Sequence, residues 1–306
     1  MNSRSYASIA VLFICLIAVS LFYFYPNQKS ITETDEKIGV IVTIVPQAEF
    51  VEKVGEDKVS VVILVPPGAS PHTYEPTPSQ MQKVAKAKIY AKVGSGIEFE
   101  LAWMDKIIAT NPDMLIIDCS ENIELIDITS HYNEHELEIH EDQHFGKDPH
   151  IWTSPRNAKI MVENICNGLI EIDPSNKKYY AQNKAAYVND LEETDRKLSN
   201  SFSKLKVRKF MVYHPTWGYL AKDYDLEQIP IEKEGKEPNI EGIAYLIDQA
   251  KGNNIKVIFA TPEFQTDIAE TIADEMGGTV VLVSPLEKDY INMLTKISDE
   301  IARSLN

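Results

Sequence analysis

One long stretch with no glycine or proline after its first residue divides this sequence into two parts of similar design. It extends from Pro174 to about Leu205 and is rich in Lys, Glu, Asn and Ala, with Tyr179, Tyr187 and Leu191 at helical spacings. At a rise of about 1.5 Å per residue, a single helix here would form a rod of about 45 Å. That is far longer than the mean helix of about 11–12 residues. The alternative is a bent or broken helix packed on one domain.

Short β-rich runs alternate with helical patterns on both sides of this stretch. The first half contains predicted strands at Ile38–Val45, Val59–Val65, Ile89–Val93 and Met114–Cys119. The second half contains predicted strands at Phe210–Tyr213, Glu227–Ile231, Val257–Ala260 and Val280–Val283. Strands that alternate with helices predict parallel sheets built from βαβ units. The expected fold class is therefore α/β: two lobes with parallel sheets flanked by helices, joined by one long rigid helix, with a cleft between them.

The N-terminus predicts a location outside the cytoplasm. Ala7–Phe24 is uncharged and almost wholly apolar, and Arg4 precedes it. At about 1.5 Å per residue this run nearly spans a bilayer core of about 30 Å, so it suits a signal peptide or an uncleaved anchor. We favour the anchor because no small-x-small cleavage site follows the run. Cys15 follows large residues rather than a small one, which argues against lipidation there.

The domain organisation that follows from these patterns has five parts. They are a signal peptide or membrane anchor at residues 1–25, a tether at 26–36, an N-terminal α/β lobe at 37–172, a linking helix at 173–206 and a C-terminal α/β lobe at 207–306. The hydrophobic content of 44% and charged content of 25% are those of globular domains. The net charge of -16 argues against a nucleic-acid partner and is compatible with a surface that attracts cations, or with simple solubility.

The cysteines do not indicate a metal site. Apart from Cys15 there are only Cys119 and Cys166, and no CxxC pair is present. Cysteines in apolar runs and helical patterns are usually small buried hydrophobic residues. Whether these two form a disulfide is left open by the sequence, because spacing does not reveal whether their Cα atoms lie within about 7 Å.

Three of the seven histidines are placed where ligands are expected in an α/β fold. His72 follows the predicted strand Val59–Val65, His214 follows Phe210–Tyr213, and His150 lies in DPHIWTSP; each of the three adjoins a proline. Ligands in such folds bind beyond the carboxyl ends of parallel strands. Imidazole suits zinc, manganese, iron, nickel or copper better than calcium or magnesium. A single histidine is more often structural, but the three together predict a transition-metal site between the lobes.

Several sequence stretches around these histidines resemble one known family. They are GASPHTYEPTPSQMQKVAKAKIYAKVGSGIE, DPHIWTSPRNAK, VYHPTWGYLAKDYDLEQIPIEKEGKEPN and VIFATPEFQ, in this order. The chain resembles the metal-binding solute-binding proteins of zinc- and manganese-type ABC importers from about residue 37 to residue 306. The resemblance implies that metal is held in the interlobe cleft, with His72, His150 and His214 as ligands.

The sequence departs from the family at the expected fourth, acidic ligand. Ser284, in VLVSPLEKD, aligns with that position. A serine hydroxyl is a poor zinc ligand beside carboxylate or imidazole. The fourth position is therefore left open between water, Ser284 and Glu263, which also follows a strand end. Glu263 is equally well placed to hydrogen-bond a ligand histidine, and Asp289 has no specific support.

A segment rich in histidine and acid lies between His131 and Asp148. It carries His131, His135, His140 and His144 together with six carboxylates. Histidine- and acid-rich insertions at this point are typical of zinc-type members of the family that the chain resembles. Such a segment can hold metal weakly and raise its local concentration, and the alternative is a solvated loop with no metal role.

The same segment contains HExxH, the motif of zinc metalloproteases, at His140–His144. That motif belongs on a buried amphipathic helix, but Asn133–Gln143 offers only Leu137 and Ile139 as apolar residues. Gly146 and Pro149 would also end a helix within a turn. We therefore interpret the motif as a chance match, and we expect no enzymatic activity.

The function predicted from the sequence is that of the extracytoplasmic substrate-binding component of an ABC importer. It would capture Zn²⁺, with Mn²⁺ as the alternative cargo, and deliver it to the membrane permease. The expected partners are the metal ion, the permease subunit and the membrane through the N-terminal segment; the chain itself is expected to be a monomer. A surface adhesin on the same scaffold is the alternative function.

Overall fold

The computed structural model describes residues 37–128, 146–233, 235–264 and 266–305. The apolar N-terminal run, the tether and nearly all of the His/acid-rich segment, including HExxH, lie outside the described residues. Among the helices that are described, none combines the length and the apolar character needed to cross a membrane. Residues 37–305 belong to one compact unit.

The described residues of the first half of this unit form four strands and four α-helices. The strands are β1 (Ile38–Val42), β2 (Val59–Ile63), β3 (Ile89–Lys92) and β4 (Leu115–Asp118). The helices are α1 (Val45–Gly55), α2 (Pro78–Val84), α3 (Glu98–Thr110) and α4 (Pro155–Ile172). The predicted first strand, Ile38–Val45, is too long by three residues. Val45 instead begins α1, because Pro46 is favourable in the first turn of a helix and cannot donate to a sheet.

The linking helix α5 (Lys177–Phe202) is a single helix of 26 residues, preceded by a 3-10 turn at Pro174–Asn176. At about 1.5 Å per residue it is about 39 Å long, so the prediction of one long helix is confirmed. Its buried face consists of Tyr180, Tyr187, Leu191, Thr194, Leu198 and Phe202. Tyr179 is not part of this face; its hydroxyl donates to Glu56 at the surface.

The second half repeats the strand arrangement of the first. Its elements are β5 (Lys209–Val212), α6 (Gly218–Asp223), β6 (Glu227–Pro230), α7 (Ile240–Gly252), β7 (Val257–Ala260), α8 (Asp267–Met276), β8 (Thr279–Leu282) and α9 (Tyr290–Ser304). Both sheets are parallel, with strand orders β2-β1-β3-β4 and β6-β5-β7-β8. The predicted α/β class with two parallel sheets is therefore confirmed. In both sheets the loops that follow the strands meet at the carboxyl edge.

The two lobes share one hydrophobic core, which fixes how their carboxyl edges face each other. A single cluster of buried side chains includes Phe50 of α1, Leu198 of α5, Phe210 of β5 and Leu294 of α9. Glu49, on α1, also links α1 to α5 and α9. It accepts hydrogen bonds from the Tyr187 hydroxyl and the Tyr290 amide, both at 2.8 Å. The lobes are thus packed against the long helix and against each other.

Two further contacts join the lobes close to the predicted site. The Trp152 indole N–H donates to the carbonyl of Pro285 at 2.9 Å, and the Tyr290 hydroxyl donates to the carbonyl of Trp152 at 2.7 Å. Elsewhere in the unit, Cys119 and Cys166 are buried free thiols and are not joined by a disulfide.

Candidate metal centre

The three predicted histidines converge in one place. His72 lies in the loop after β2, His150 lies just before the 3-10 turn Ile151–Thr153, and His214 follows β5 by two residues. Each offers one ring nitrogen, and these three atoms lie within 4.8 Å of one another. The loops come from both sheets, as expected for a site between the lobes.

Two of the distances between the Nε2 atoms suit a tetrahedral metal ion. His150 Nε2 lies 3.4 Å from His72 Nε2 and 3.3 Å from His214 Nε2. Zinc–nitrogen bonds of about 2.0–2.1 Å at tetrahedral angles place two ligand nitrogens about 3.3–3.4 Å apart. Both separations are long for a direct N–H···N hydrogen bond. His150 is therefore spaced from each of the other two rings as ligands of a common ion are, and the His72 and His214 ligand atoms lie within 4.8 Å of each other.

A carboxylate lies within hydrogen-bonding distance of Nδ1, the second nitrogen of each ring. His72 Nδ1 lies 2.6 Å from Glu98, His150 Nδ1 lies 2.8 Å from Asp148, and His214 Nδ1 lies 3.1 Å from Glu232. Since an ionised carboxylate only accepts hydrogen bonds, each pair is satisfied when Nδ1 carries the proton. The Nε2 lone pairs then face one another. Facing lone pairs repel each other unless a cation lies between them. A carboxylate that accepts the Nδ1 hydrogen is the usual support of metal-binding histidines.

The three carboxylates differ in their exposure. The side chain of Glu98 is 55% exposed, whereas those of Asp148 and Glu232 are only 4% and 6% exposed. Burial acts to raise the pKa of Glu98, but the hydrogen bond and charge of His72 outweigh it and lower that pKa. Only the partner of His72 therefore lies in contact with bulk water.

Asp148 and His150 form a buried pair whose ionisation is shifted by their surroundings. Burial raises the pKa of Asp148 to about 7, against the hydrogen bond from the His150 amide. Burial also lowers the pKa of His150, and the nearby His214 and His72 add to this effect. The close approach of Asp148 to the start of α6 depends on Gly218, because a Cβ there would collide with its Oδ2 atom. Burial therefore disfavours charge on both side chains of the pair.

Short hydrogen bonds hold the proline-flanked loops. The Phe99 amide donates to the carbonyl of Pro71, the Ser95 hydroxyl donates to that of Pro149, and the Thr216 amide donates to that of His214. The first contact joins the His72 loop to α3, the second joins the His150 loop to the loop before α3, and the third lies within the His214 loop. These contacts restrict the movement of the three loops.

The histidines line a small cavity, of about 10 Å³, which is about the space needed for one water molecule. Its remaining walls come from Pro71, Trp152, Thr216, Thr261, Glu263, Phe264, Pro285 and Leu286. The His214 ring stacks on Phe264 with ring centroids 4.8 Å apart. A single ion with at most one further small ligand fits this space, and an organic ligand does not.

Glu263 and Ser284, the two side chains considered for the fourth position, contact each other. The Ser284 hydroxyl donates to Glu263 Oε1 at 2.5 Å. Asp289 instead caps α9 by accepting from the Asn292 amide and does not line the cavity. Among the described residues, the ligand atoms grouped within 4.8 Å belong to the three histidines alone.

Sequence reasoning did not identify the carboxylate partners Glu98 and Glu232. A signal for Glu232 was present, since it follows the end of β6 as His214 follows β5. Asp148 was noted only as part of the acidic segment, although it lies two residues before His150. Glu98 is 26 residues from His72, and its pairing follows no local pattern.

The sequence matches a known protein family over almost all of the described unit. The profile of the family described as "Zinc-uptake complex component A periplasmic" (ZnuA) matches residues 40–304. The chain belongs to this family. The resemblance inferred from the quoted motifs is thereby confirmed, and membership in the zinc-uptake family supports the importer component over the adhesin alternative.

Individual members of the zinc-uptake family are similar along most of their length. The "High-affinity zinc uptake system protein ZnuA" of Bacillus subtilis is 29% identical over 286 residues, which cover 93% of this chain and 89% of the relative. A crystal structure of ZnuA has a TM-score of 0.82 at 38% identity, with 89% of this chain and 100% of that chain covered. A ZnuA deletion mutant with zinc bound has a TM-score of 0.81, also at 38% identity, with 89% and 99% covered.

Proposed function

We propose that this chain captures a single zinc ion through the Nε2 atoms of His72, His150 and His214 and delivers it to the permease of an ABC importer. The observation that carries the proposal is the convergence of three histidines, with His150 Nε2 at 3.4 and 3.3 Å from the Nε2 atoms of the other two, and with a carboxylate beside Nδ1 of each ring. Zinc is the cargo of the protein rather than a resident cofactor.

The donor set favours zinc over manganese. Three imidazole nitrogens without a direct carboxylate form a softer set than manganese prefers. The relatives point the same way, because the Bacillus subtilis relative is named for zinc uptake and the ZnuA deletion mutant has zinc bound. Manganese remains the alternative cargo.

Delivery requires a partner in the membrane and a location outside the cytoplasm. The family description includes the word periplasmic, and the apolar run Ala7–Phe24 would hold the protein at the membrane surface. The net charge of -16 would concentrate cations near the cavity at low ionic strength. The permease would then accept the ion when docking separates the ligand loops.

A binding function without catalysis suits the cavity. A cavity of about 10 Å³ lined by the three histidines suits one ion with about one water molecule. The Glu141→Gln variant distinguishes a binding protein from a metalloprotease, because a protease that uses HExxH would lose zinc-dependent peptide cleavage in this variant. We expect no cleavage by either form and unchanged tight zinc binding.

Competition titration against a chelator of known affinity tests the proposed site. We expect one tight zinc site in the wild type, weakened at least about 100-fold in His72→Ala and His214→Ala, since removal of a partner of a ligand alone costs about 10–100-fold. His135→Ala, in the His/acid-rich segment, is the comparison variant and should keep the tight site. Manganese binding as tight as zinc binding would contradict the choice of metal. Unchanged zinc affinity in both cluster variants would contradict the site.

A further inference from the structure

Three buried oxygen atoms of residues that line the cavity have no hydrogen-bond partner in the protein. Within the described ranges, the buried side-chain nitrogen and oxygen atoms without a partner are Thr216 Oγ1, Thr261 Oγ1 and Glu263 Oε2. All three residues line the cavity that contains the histidines. At least about 90% of buried polar groups in proteins are hydrogen-bonded. Their occurrence together around one cavity indicates that a polar group belongs there.

Glu263 is held in place by its neighbours. The Leu286 amide donates to Ser284 Oγ at 3.1 Å, so the serine hydroxyl hydrogen is free to point at Glu263 Oε1, 2.5 Å away. Glu263 follows β7 and Ser284 follows β8, at adjacent carboxyl ends of the sheet. This leaves Oε2 as a fixed acceptor at the cavity.

The spacing argues against direct ligation by Glu263. A fourth tetrahedral ligand atom would lie about 3.3 Å from each of the three nitrogens. In the described part of the chain, the group of ligand atoms that approach within 4.8 Å contains the three histidines and no carboxylate. One small group is needed between the ion and Glu263, and the cavity of about 10 Å³ has room for one water.

A metal-bound water would supply the hydrogen-bond donors that these three oxygen atoms lack. Its oxygen lone pair is used by the metal, so it has two hydrogens to donate and needs two acceptors. Glu263 Oε2 accepts only, and threonine hydroxyl oxygens accept as well as donate. Glu263 and the two threonines therefore provide the acceptors for the hydrogens of such a water.

We infer that Glu263, positioned by Ser284, accepts a hydrogen bond from the water that completes the coordination of the zinc ion, and that a threonine hydroxyl accepts the second. This inference rests on the proposed function. The negative charge of Glu263 beside the open position favours neutral water over an anionic ligand such as azide or chloride. Glu263 is thus a positioning residue that determines which fourth ligand the site admits.

The test uses Glu263→Gln, which keeps the side-chain size but removes the charge, with Glu241→Gln as the matched control. Glu241 is an exposed carboxylate at the start of α7 in the same lobe. The protein is loaded with Co²⁺, whose visible absorption reports the coordination sphere, and is titrated with azide. Zinc affinity is measured in parallel by competition with a chelator.

We expect Glu263→Gln to bind zinc about 10–100-fold more weakly and its cobalt spectrum to respond to azide at clearly lower concentrations than that of the wild type. Glu241→Gln should match the wild type in both measurements. Thr261→Val, which removes an acceptor but no charge, should weaken zinc binding without increasing the response to azide.

The inference and the proposed function fail in distinguishable ways. If His72→Ala loses tight zinc while Glu263→Gln matches the wild type in zinc affinity and azide response, only the inference is wrong. If His72→Ala binds zinc like the wild type, the proposed function is wrong. A zinc-bound crystal structure with Glu263 Oε2 within about 2.2 Å of the ion would also overturn the inference, because Glu263 would then be a direct ligand.

Discussion

His72 Nδ1 lies 2.6 Å from Glu98 Oε2, and Glu98 is the carboxylate partner that faces solvent. The corresponding partners of His150 and His214 are almost completely buried. Water can compete for the bond between His72 and Glu98 but not for the other two. The ring of His72 is therefore held least firmly, and we expect metal release to begin there.

Glu98→Gln should accelerate zinc dissociation more than it changes the capture rate. The amide accepts the Nδ1 hydrogen more weakly than the carboxylate, so the ring of His72 is less well oriented and less basic. Stopped-flow transfer of zinc to an excess of chelator measures the rate. Glu121→Gln, at an exposed carboxylate in the same lobe, is the control. Equal dissociation rates for Glu98→Gln and the wild type would contradict a release step at His72.

Zinc binding should release a proton from Asp148 below neutral pH. Its pKa of about 7 in the unloaded protein means that it is largely protonated at pH 6 and largely ionised at pH 8. Bound zinc requires the ionised form, because His150 must then donate its Nδ1 hydrogen to Asp148. The contribution of this group to zinc affinity is therefore complete at pH 8 and is lost as the pH falls through 7.

Calorimetric titration in buffers of different ionisation enthalpy counts these protons. The wild type should release nearly one proton more than Asp148→Asn at pH 6, and the two should release almost equal numbers at pH 8. If the wild type and Asp148→Asn released the same number of protons at pH 6 as well as at pH 8, Asp148 would not be the source of this proton.

Removal of the Glu49 carboxylate should destabilise the whole unit. Glu49→Ala leaves the Tyr187 hydroxyl and the Tyr290 amide without their buried acceptor, which predicts a loss of about 3 kcal/mol in the free energy of unfolding. Glu52→Ala is the contrast, since Glu52 forms an exposed ion pair with Lys288 and should cost less than about 1 kcal/mol. Denaturant unfolding measures both. Similar values for the two variants would mean that Glu49 does not tie the lobes together.

Zinc should cause only a small change in overall shape. Helix α5 contains no glycine or proline, and the bonds from Trp152 to Pro285 and from Tyr290 to Trp152 join the lobes near the site. Wide hinge closure, as in other binding proteins, would have to break these contacts. Small-angle scattering with and without zinc should give nearly superimposable curves. A marked shrinkage on zinc binding would show that the lobes move as separate bodies.

Deletion of the His/acid-rich segment should leave the tight site intact. The residues that flank it are paired: the Ile128 amide donates to the Gly146 carbonyl at 3.1 Å, and the Asp148 amide donates to the Ile126 carbonyl at 2.9 Å. A short glycine–serine turn in place of residues 130–144 therefore leaves Asp148 and His150 in position. Titration should show fewer weak zinc equivalents and an unchanged tight one. Loss of the tight site would mean that the segment supplies a ligand.

Much of the fold was predictable because its signals are local. Strand and helix periodicity located both sheets, and the absence of glycine and proline in one stretch indicated the long helix. The errors lie at element boundaries, as at Val45, and at short elements such as α6 (Gly218–Asp223), whose few residues carry no clear periodicity. Local patterns do not determine where a six-residue helix begins.

The site was predictable in part for a related reason. The histidines stand out because they follow strand ends, and the parallel topology brings such loops together. Glu98 and Glu232 are joined to their histidines only through tertiary structure, at sequence separations of 26 and 18 residues. The assignment of ligand roles to His72, His150 and His214 remains a prediction that the proposed titrations address.

The small volume between the histidines has a kinetic consequence. A hydrated divalent ion carries a full shell of water, but the cavity admits the ion with about one water molecule. Capture must therefore strip nearly the entire hydration shell before the last nitrogen binds. Loading should then follow the water-exchange rate of each metal ion, so nickel, which exchanges water slowly, should enter far more slowly than zinc even where the final complexes are equally stable. The protein would thus favour zinc over nickel by the speed of dehydration.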